Sequence, residues 1–127
     1  MHLIETAAAP LPAGHYSQAV AANGLLFVSG QLPLLPGPAL QLPHGIEAQT
    51  RQVFANLRAI LLAADSDFDQ LVSVQIFISD IALWGAVNAL YREILGAHKP
   101  ARTVIPCGAL HHGALLELNA VAVVRHC

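Results

Sequence analysis

The sequence predicts an α+β fold, a two-layer α/β arrangement in which one sheet carries two helices on a single face. Three observations predict it. Two stretches with helical apolar spacing alternate with β-branched, strand-like stretches; the order reads β-β-α-β-α-β-β; and the last strand segment is apolar at both odd and even positions. With 127 residues the chain is expected to form one domain over residues 1–127.

Residues 1–14 are small and broken by proline, and read as an arm. Tyr16 to Ala22 is expected to be a strand, turned by Asn23-Gly24 into a second strand, Leu25 to Gly30, because both turn residues tolerate positive φ. Residues 32–45 hold four prolines and two glycines and read as a loop, with a short strand expected near Ala39 to Leu42. Ile46 to Ala64 is the clearest helix. Ile46, Val53, Phe54, Leu57, Ile60, Leu61 and Ala64 share a stripe, while Glu47, Gln49, Arg51, Gln52 and Arg58 fall mostly on the other side. Leu71 to Ser79 alternates as a strand. Asp80 is placed to cap a second helix, Ile81 to Leu95, with a buried stripe of Leu83, Val87, Leu90, Tyr91 and Ile94. Arg102 to Cys107 and Leu115 to Val124 are the closing strands, joined by a loop around Gly108 to Gly113.

The final strand cannot be buried on both faces by two helices lying on one side, so the sequence calls for an oligomer. Composition agrees: 55% of residues are hydrophobic and only 11% charged, against a usual charged share of about 25%. The six Lys and Arg form no run, and the net charge is −2, which disfavours a nucleic-acid-binding face. The start lacks the basic region of a signal peptide, and no apolar run reaches the roughly 18 residues of a membrane span, so a cytoplasmic location is expected. Two cysteines, Cys107 and Cys127, make no disulfide framework, and Cys107 reads as a small buried apolar residue. Seven histidines (His2, His15, His44, His98, His111, His112 and His126) show no HxH or HxxxH spacing, so no metal site is expected.

Two charges stand alone in apolar strand patterns: Arg102 in PARTVIP and Glu117 in LLELNAV. They can pair with each other or end in water. Alternatively, the planar fork of Arg102 holds a carboxylate while Glu117 handles a proton or a water.

Six short motifs, in order and spacing, resemble the Rid family of reactive intermediate deaminases, also called the YjgF or L-PSP endoribonuclease family. They are Tyr16-Ser17-Gln18-Ala19, Val28-Ser29-Gly30-Gln31, Glu47-Ala48-Gln49-Thr50, Val87-Asn88, Pro100-Ala101-Arg102-Thr103 and Leu116-Glu117-Leu118. The resemblance implies a chorismate-mutase-like fold, a barrel-like homotrimer with a cleft at each subunit interface, and hydrolysis of 2-imino or enamine acids to 2-oxo acids and ammonia without metal or cofactor. It assigns carboxylate binding to Arg102, water positioning to Glu117 and an aromatic wall to Tyr16. Backbone contacts with substrate fall on Gly30 and Val104, and Ser29 and Asn88 lie on matching motifs. Three positions depart from the family pattern: His15 and His111 stand where proline is usual, and Asn119 where a second acid often stands. Two other readings go with the resemblance, a small-carboxylate binding or regulatory module, and an endoribonuclease or translation inhibitor. The scattered basic residues count against the latter.

Overall fold

The computed structural model describes residues 1–125, so His126 and Cys127 lie outside it. One six-stranded sheet carries two helices. In chain order the elements are β1 (His2–Ile4), β2 (Ala19–Ala22), β3 (Leu25–Gln31), α1 (Ile46–Ala63), β4 (Leu71–Ile78), α2 (Trp84–Leu95), β5 (Ala101–Pro106) and β6 (Leu116–Val123). The strands lie in the order β1-β2-β3-β6-β4-β5. All neighbours are antiparallel except β4 and β5.

The topology explains why both helices share a face. Strand β6 runs antiparallel to both β3 and β4, so β3 and β4 point the same way. The chain therefore makes two parallel crossovers in the same direction along the sheet, β3 to β4 through α1 and β4 to β5 through α2. Right-handed crossovers put both helices on one side. There α1 buries Val53, Phe54, Leu57, Ile60 and Leu61 against Leu26 and Val28 of β3, Val74, Ile76 and Ile78 of β4, and Leu116 and Leu118 of β6. Phe54 meets Tyr91 of α2 edge-on at 5.8 Å, closing the layer between the helices.

The other sheet face has no helix. It carries Phe27, 48% exposed, and Val72 and Val123, also exposed, with half-buried Phe77 and Val121. On β6 this face carries Val121 and Val123 beside Glu117 and Asn119, so the sheet's second face is only partly apolar on this strand and is uncovered within a single chain.

Several expectations need correction. The N-terminal arm begins with a strand, β1, whose three residues pair with Ala19–Ala21 of β2 and bury Ile4; three residues are too few to set up an alternation. The strand after Tyr16 starts only at Ala19; just before it, the Gln18 side chain turns to the arm and bonds the backbone of Thr6, Ala9 and Pro10. No strand forms near Ala39 to Leu42, where Leu40 has a φ of +48° and Gly37 one of +113°. Asp80 caps a 3₁₀ turn, Ile81–Leu83, by accepting from the Ala82 amide, and the α-helix begins at Trp84. Its most buried stripe is Val87, Tyr91 and Leu95 rather than one through Leu83, Leu90 and Ile94. Gln49 lies on the buried side of α1, tying Pro43 to Leu115 through its amide. The hairpin turn is as expected, with φ of +54° at Asn23 and +77° at Gly24, the values a two-residue I′ turn needs.

Candidate active site

Glu117 and Arg102 occupy opposite faces of the sheet. Glu117 stands on β6 opposite Phe77, on the helix-free face. Arg102 stands on β5 beside Val74, which is fully buried under the helices, so its side chain leaves on the helix face. The two are not paired with each other, and neither is left simply in water.

The Glu117 end is shaped by exclusion. Strands β3 and β6 slip register between Val28 and Gln31, giving a bulge at Ser29–Gly30. The bulge brings the Gly30 backbone against Glu117, and a Cβ at position 30 would run into Glu117 Oε2. Only glycine leaves room for that carboxylate. Burial pushes the Glu117 carboxyl above its usual range, and the charge of nearby His111 offsets part of the shift. His111 sits in a 3₁₀ turn, His111–Gly113, just before β6. The departure from proline at this position therefore sets a titratable ring beside the acid. Ser29 donates its hydroxyl to the Ser17 carbonyl at 2.6 Å. This fixes the segment next to Tyr16, whose ring is half exposed.

The Arg102 end is shaped by contacts. Its Nη1 donates to Asn88 Oδ1 at 2.9 Å, and its guanidinium lies 4.6 Å from the Trp84 ring centroid and 4.8 Å from that of Tyr91. Trp84, Asn88 and Tyr91 are one stripe of α2, spaced by four and three residues. The fork is thus oriented by stacking and one hydrogen bond, leaving further donors for a ligand. Burial pushes the Tyr91 phenol up, and the Arg102 charge offsets part of this. A depression of about 410 Å³ opens beside Arg102, with Asn88, Arg92 and Lys99 on its walls. Val104 follows on the same face, half-buried. Because β5 ends the sheet, its outer backbone edge faces no further strand among the described residues.

The residues taken from sequence therefore gather into two groups: Tyr16, Ser29, Gly30 and Glu117, and Asn88, Arg102 and Val104. Trp84 was not anticipated; its signal was the shared stripe with Asn88 and Tyr91. Cys107 is exposed rather than buried, because it lies just past the end of β5. Among the described residues no three His, Cys, Asp or Glu side chains converge. No helix among the described residues is long and apolar enough to cross a membrane.

Residues 6–124 match the model of the family described as Endoribonuclease L-PSP, and the chain belongs to that family, the Rid family that its motifs resemble. It is 39% identical to a RutC family protein of Synechocystis over 98% of this chain and 97% of the relative. It is 36% identical to the rat 2-iminobutanoate/2-iminopropanoate deaminase over 95% and 88% of the two chains. The crystal structure of RidA from a Psychrobacter species matches with a TM-score of 0.93 and 31% identity, covering 98% of this chain and all of that one (100%).

Proposed function

We propose that this protein is a cytoplasmic, metal- and cofactor-independent hydrolase that converts reactive 2-imino or enamine acids to 2-oxo acids and ammonia. The observation that carries the proposal is Glu117: a lone acid, held against the Gly30 backbone and kept partly desolvated, so that burial pushes its carboxyl above the ordinary value. Such a group suits proton exchange near pH 7. The kinship with the rat deaminase supports the same chemistry.

In this reading Arg102 binds the substrate carboxylate through two parallel hydrogen bonds, oriented by Asn88, Trp84 and Tyr91. The Glu117 carboxylate takes a proton from water as its oxygen bonds to the imine carbon, and the C=N double bond becomes a C–N single bond. Glu117 returns that proton to nitrogen, giving a carbinolamine; it then takes the hydroxyl proton and passes it to the same nitrogen as the C–N bond breaks, so ammonia leaves and the hydroxyl oxygen becomes the carbonyl of the 2-oxo acid. Tyr16 walls the cleft, and backbone groups at Gly30 and Val104 contact the substrate.

Because Arg102 and Glu117 leave opposite faces of one sheet, a single site needs the Arg102 end of one copy beside the Glu117 end of another. We assign this to a homotrimer with one cleft per interface. The uncovered face with Phe27, Val72 and Val123 supports it, since association would bury that apolar surface. The direct test is ammonia release from freshly generated 2-iminobutanoate, with and without chelator. The expected result is acceleration over the spontaneous reaction, unchanged by chelator. Saturable binding of 2-oxobutanoate without acceleration would favour a carboxylate-binding module, which needs Arg102 but not Glu117.

A further inference from the structure

Beyond the reacting groups, an apolar pocket of about 380 Å³ lies between the N-terminal arm and the proline-rich loop, within the size range of small-molecule sites. One wall is Pro10, Leu11 and Pro12 of the arm; the other is Leu34, Leu35 and Leu40 of the loop. Tyr16, Gly30 and His112 also line it. Gly30 is the residue against which the Glu117 carboxylate packs, so the pocket continues from the acid end of the site.

Both walls are pinned from beneath by buried amides. Gln18, 2% exposed, accepts from the Thr6 amide at 2.7 Å and donates to the Pro10 carbonyl at 2.8 Å, which fixes the arm. Asn56, fully buried on α1, donates to the carbonyls of Leu32 at 3.1 Å and Leu34 at 2.8 Å, which fixes the loop. The pocket is therefore a preformed cavity between two anchored segments. Its polar groups are largely spent: the Gln18 amide is committed as above, and Gln31 donates to the Ser29 carbonyl. Among the described residues its lining holds no Asp, Glu, Lys or Arg. An apolar cavity with saturated amides favours hydrocarbon and penalises charge.

We infer that this pocket receives the side chain of the substrate, making the protein selective for 2-imino acids with a branched or aromatic apolar side chain of four or more carbons. The inference rests on the proposed function for the identity of the reacting group, but the cavity and its preference can be tested without turnover. An apolar pocket separates substrates differing by one methylene by about 10-fold or more, so an isobutyl group should be favoured over a methyl group by at least that factor.

The experiment compares imines released by an amino-acid oxidase from leucine and from alanine, and calorimetric titration with 4-methyl-2-oxopentanoate and 2-oxopropanoate. Wild type should prefer the larger member of each pair by about 10-fold or more in kcat/KM and in Kd. Leu35→Asp, which adds charge at an exposed wall position, and Ala13→Trp, which fills the space from the exposed arm, should each bring both ratios close to one. Two variants on different segments guard against loss of folding in one. Equal binding and equal turnover of the two sizes by wild type would overturn the pocket, as would ratios unmoved in both folded variants. A preference in binding, lost in the variants, with neither imine hydrolysed, would uphold the pocket while contradicting the deaminase reading.

Discussion

Arg102 and Glu117 are both lone charges in apolar strands, yet the fold treats them in opposite ways. Arg102 is exposed and held by contact, with an amide oxygen bonded to it and its guanidinium over two aromatic rings. Glu117 is half-buried and shaped by what is missing, with a glycine where any Cβ would collide and burial that disfavours its charge. The difference matches the two tasks proposed for them. A group that binds an anion gains from a fixed orientation and permanent charge, whereas a group that moves protons gains from a pKa near the working pH. They stand on two sheet faces, each end organised within one chain.

The largest effects should come from removing the two groups. Glu117→Gln keeps shape and should bind 2-oxobutanoate within a few-fold of wild type while kcat falls by about 10²- to 10⁴-fold, the range expected for a lost general base. Arg102→Ala should lose both binding and turnover, and Arg102→Lys should recover only part, because an ammonium lacks the planar fork. Calorimetry and initial rates on the same preparations separate these patterns. Wild-type rates in Glu117→Gln would remove the acid from the mechanism.

Gly30→Ala sharpens the contrast from the other side. The backbone at Gly30 is not in the positive-φ region, so alanine suits the chain, and only the Glu117 carboxylate must shift. The melting temperature should stay close to wild type while kcat falls by about 10²-fold, since a displacement near 1 Å is enough for that loss. Unchanged kcat would mean that the packing against Glu117 is incidental to the reaction.

The smallest effect is on pH dependence. Glu117 has a raised pKa in the folded chain, so its carboxylate form, and with it the rate, should fall away on acidification at a pH above the ordinary carboxylate range. His111→Ala removes the charge that offsets part of that shift, so the acid limb should move to higher pH. Stability follows the same sign. The folded state holds the Glu117 proton more tightly than the unfolded chain, so this group's cost to the fold builds as pH rises from the ordinary carboxylate pKa and is complete above the raised one. Glu117→Gln should therefore melt higher than wild type at neutral pH, and the gap should close in acid. An acid limb that His111→Ala leaves in place would detach the ring from the acid.

Much of this was legible in the sequence because the main elements are long and periodic. Leu71 to Ile78 alternates, Ile46 to Ala63 keeps helical spacing, and Asn23-Gly24 can hardly be anything but a turn. Arg102 and Glu117 were legible as charges without neighbours of their own kind. Their faces were not, because facing depends on register: Arg102 aligns with Val74 and Glu117 with Phe77, and only strand pairing sets those partners. β1 was too short to show a pattern. The buried amides of Gln18, Gln49 and Asn56 look like surface residues until a loop is laid against them. Trp84 was hidden because its role is to stack on a residue 18 positions further along the chain.

Whether one site draws Arg102 from one copy and Glu117 from another is decided by mixing two inactive variants. Arg102→Ala and Glu117→Gln subunits, each inactive alone, are unfolded together, refolded as mixed oligomers and assayed for imine hydrolysis. If each cleft takes its two groups from neighbouring copies, random assembly leaves an intact pair in about a quarter of the clefts, and activity should return to about that fraction of wild type. Mixed oligomers that form, as seen by native mass spectrometry, yet remain inactive would contradict the account.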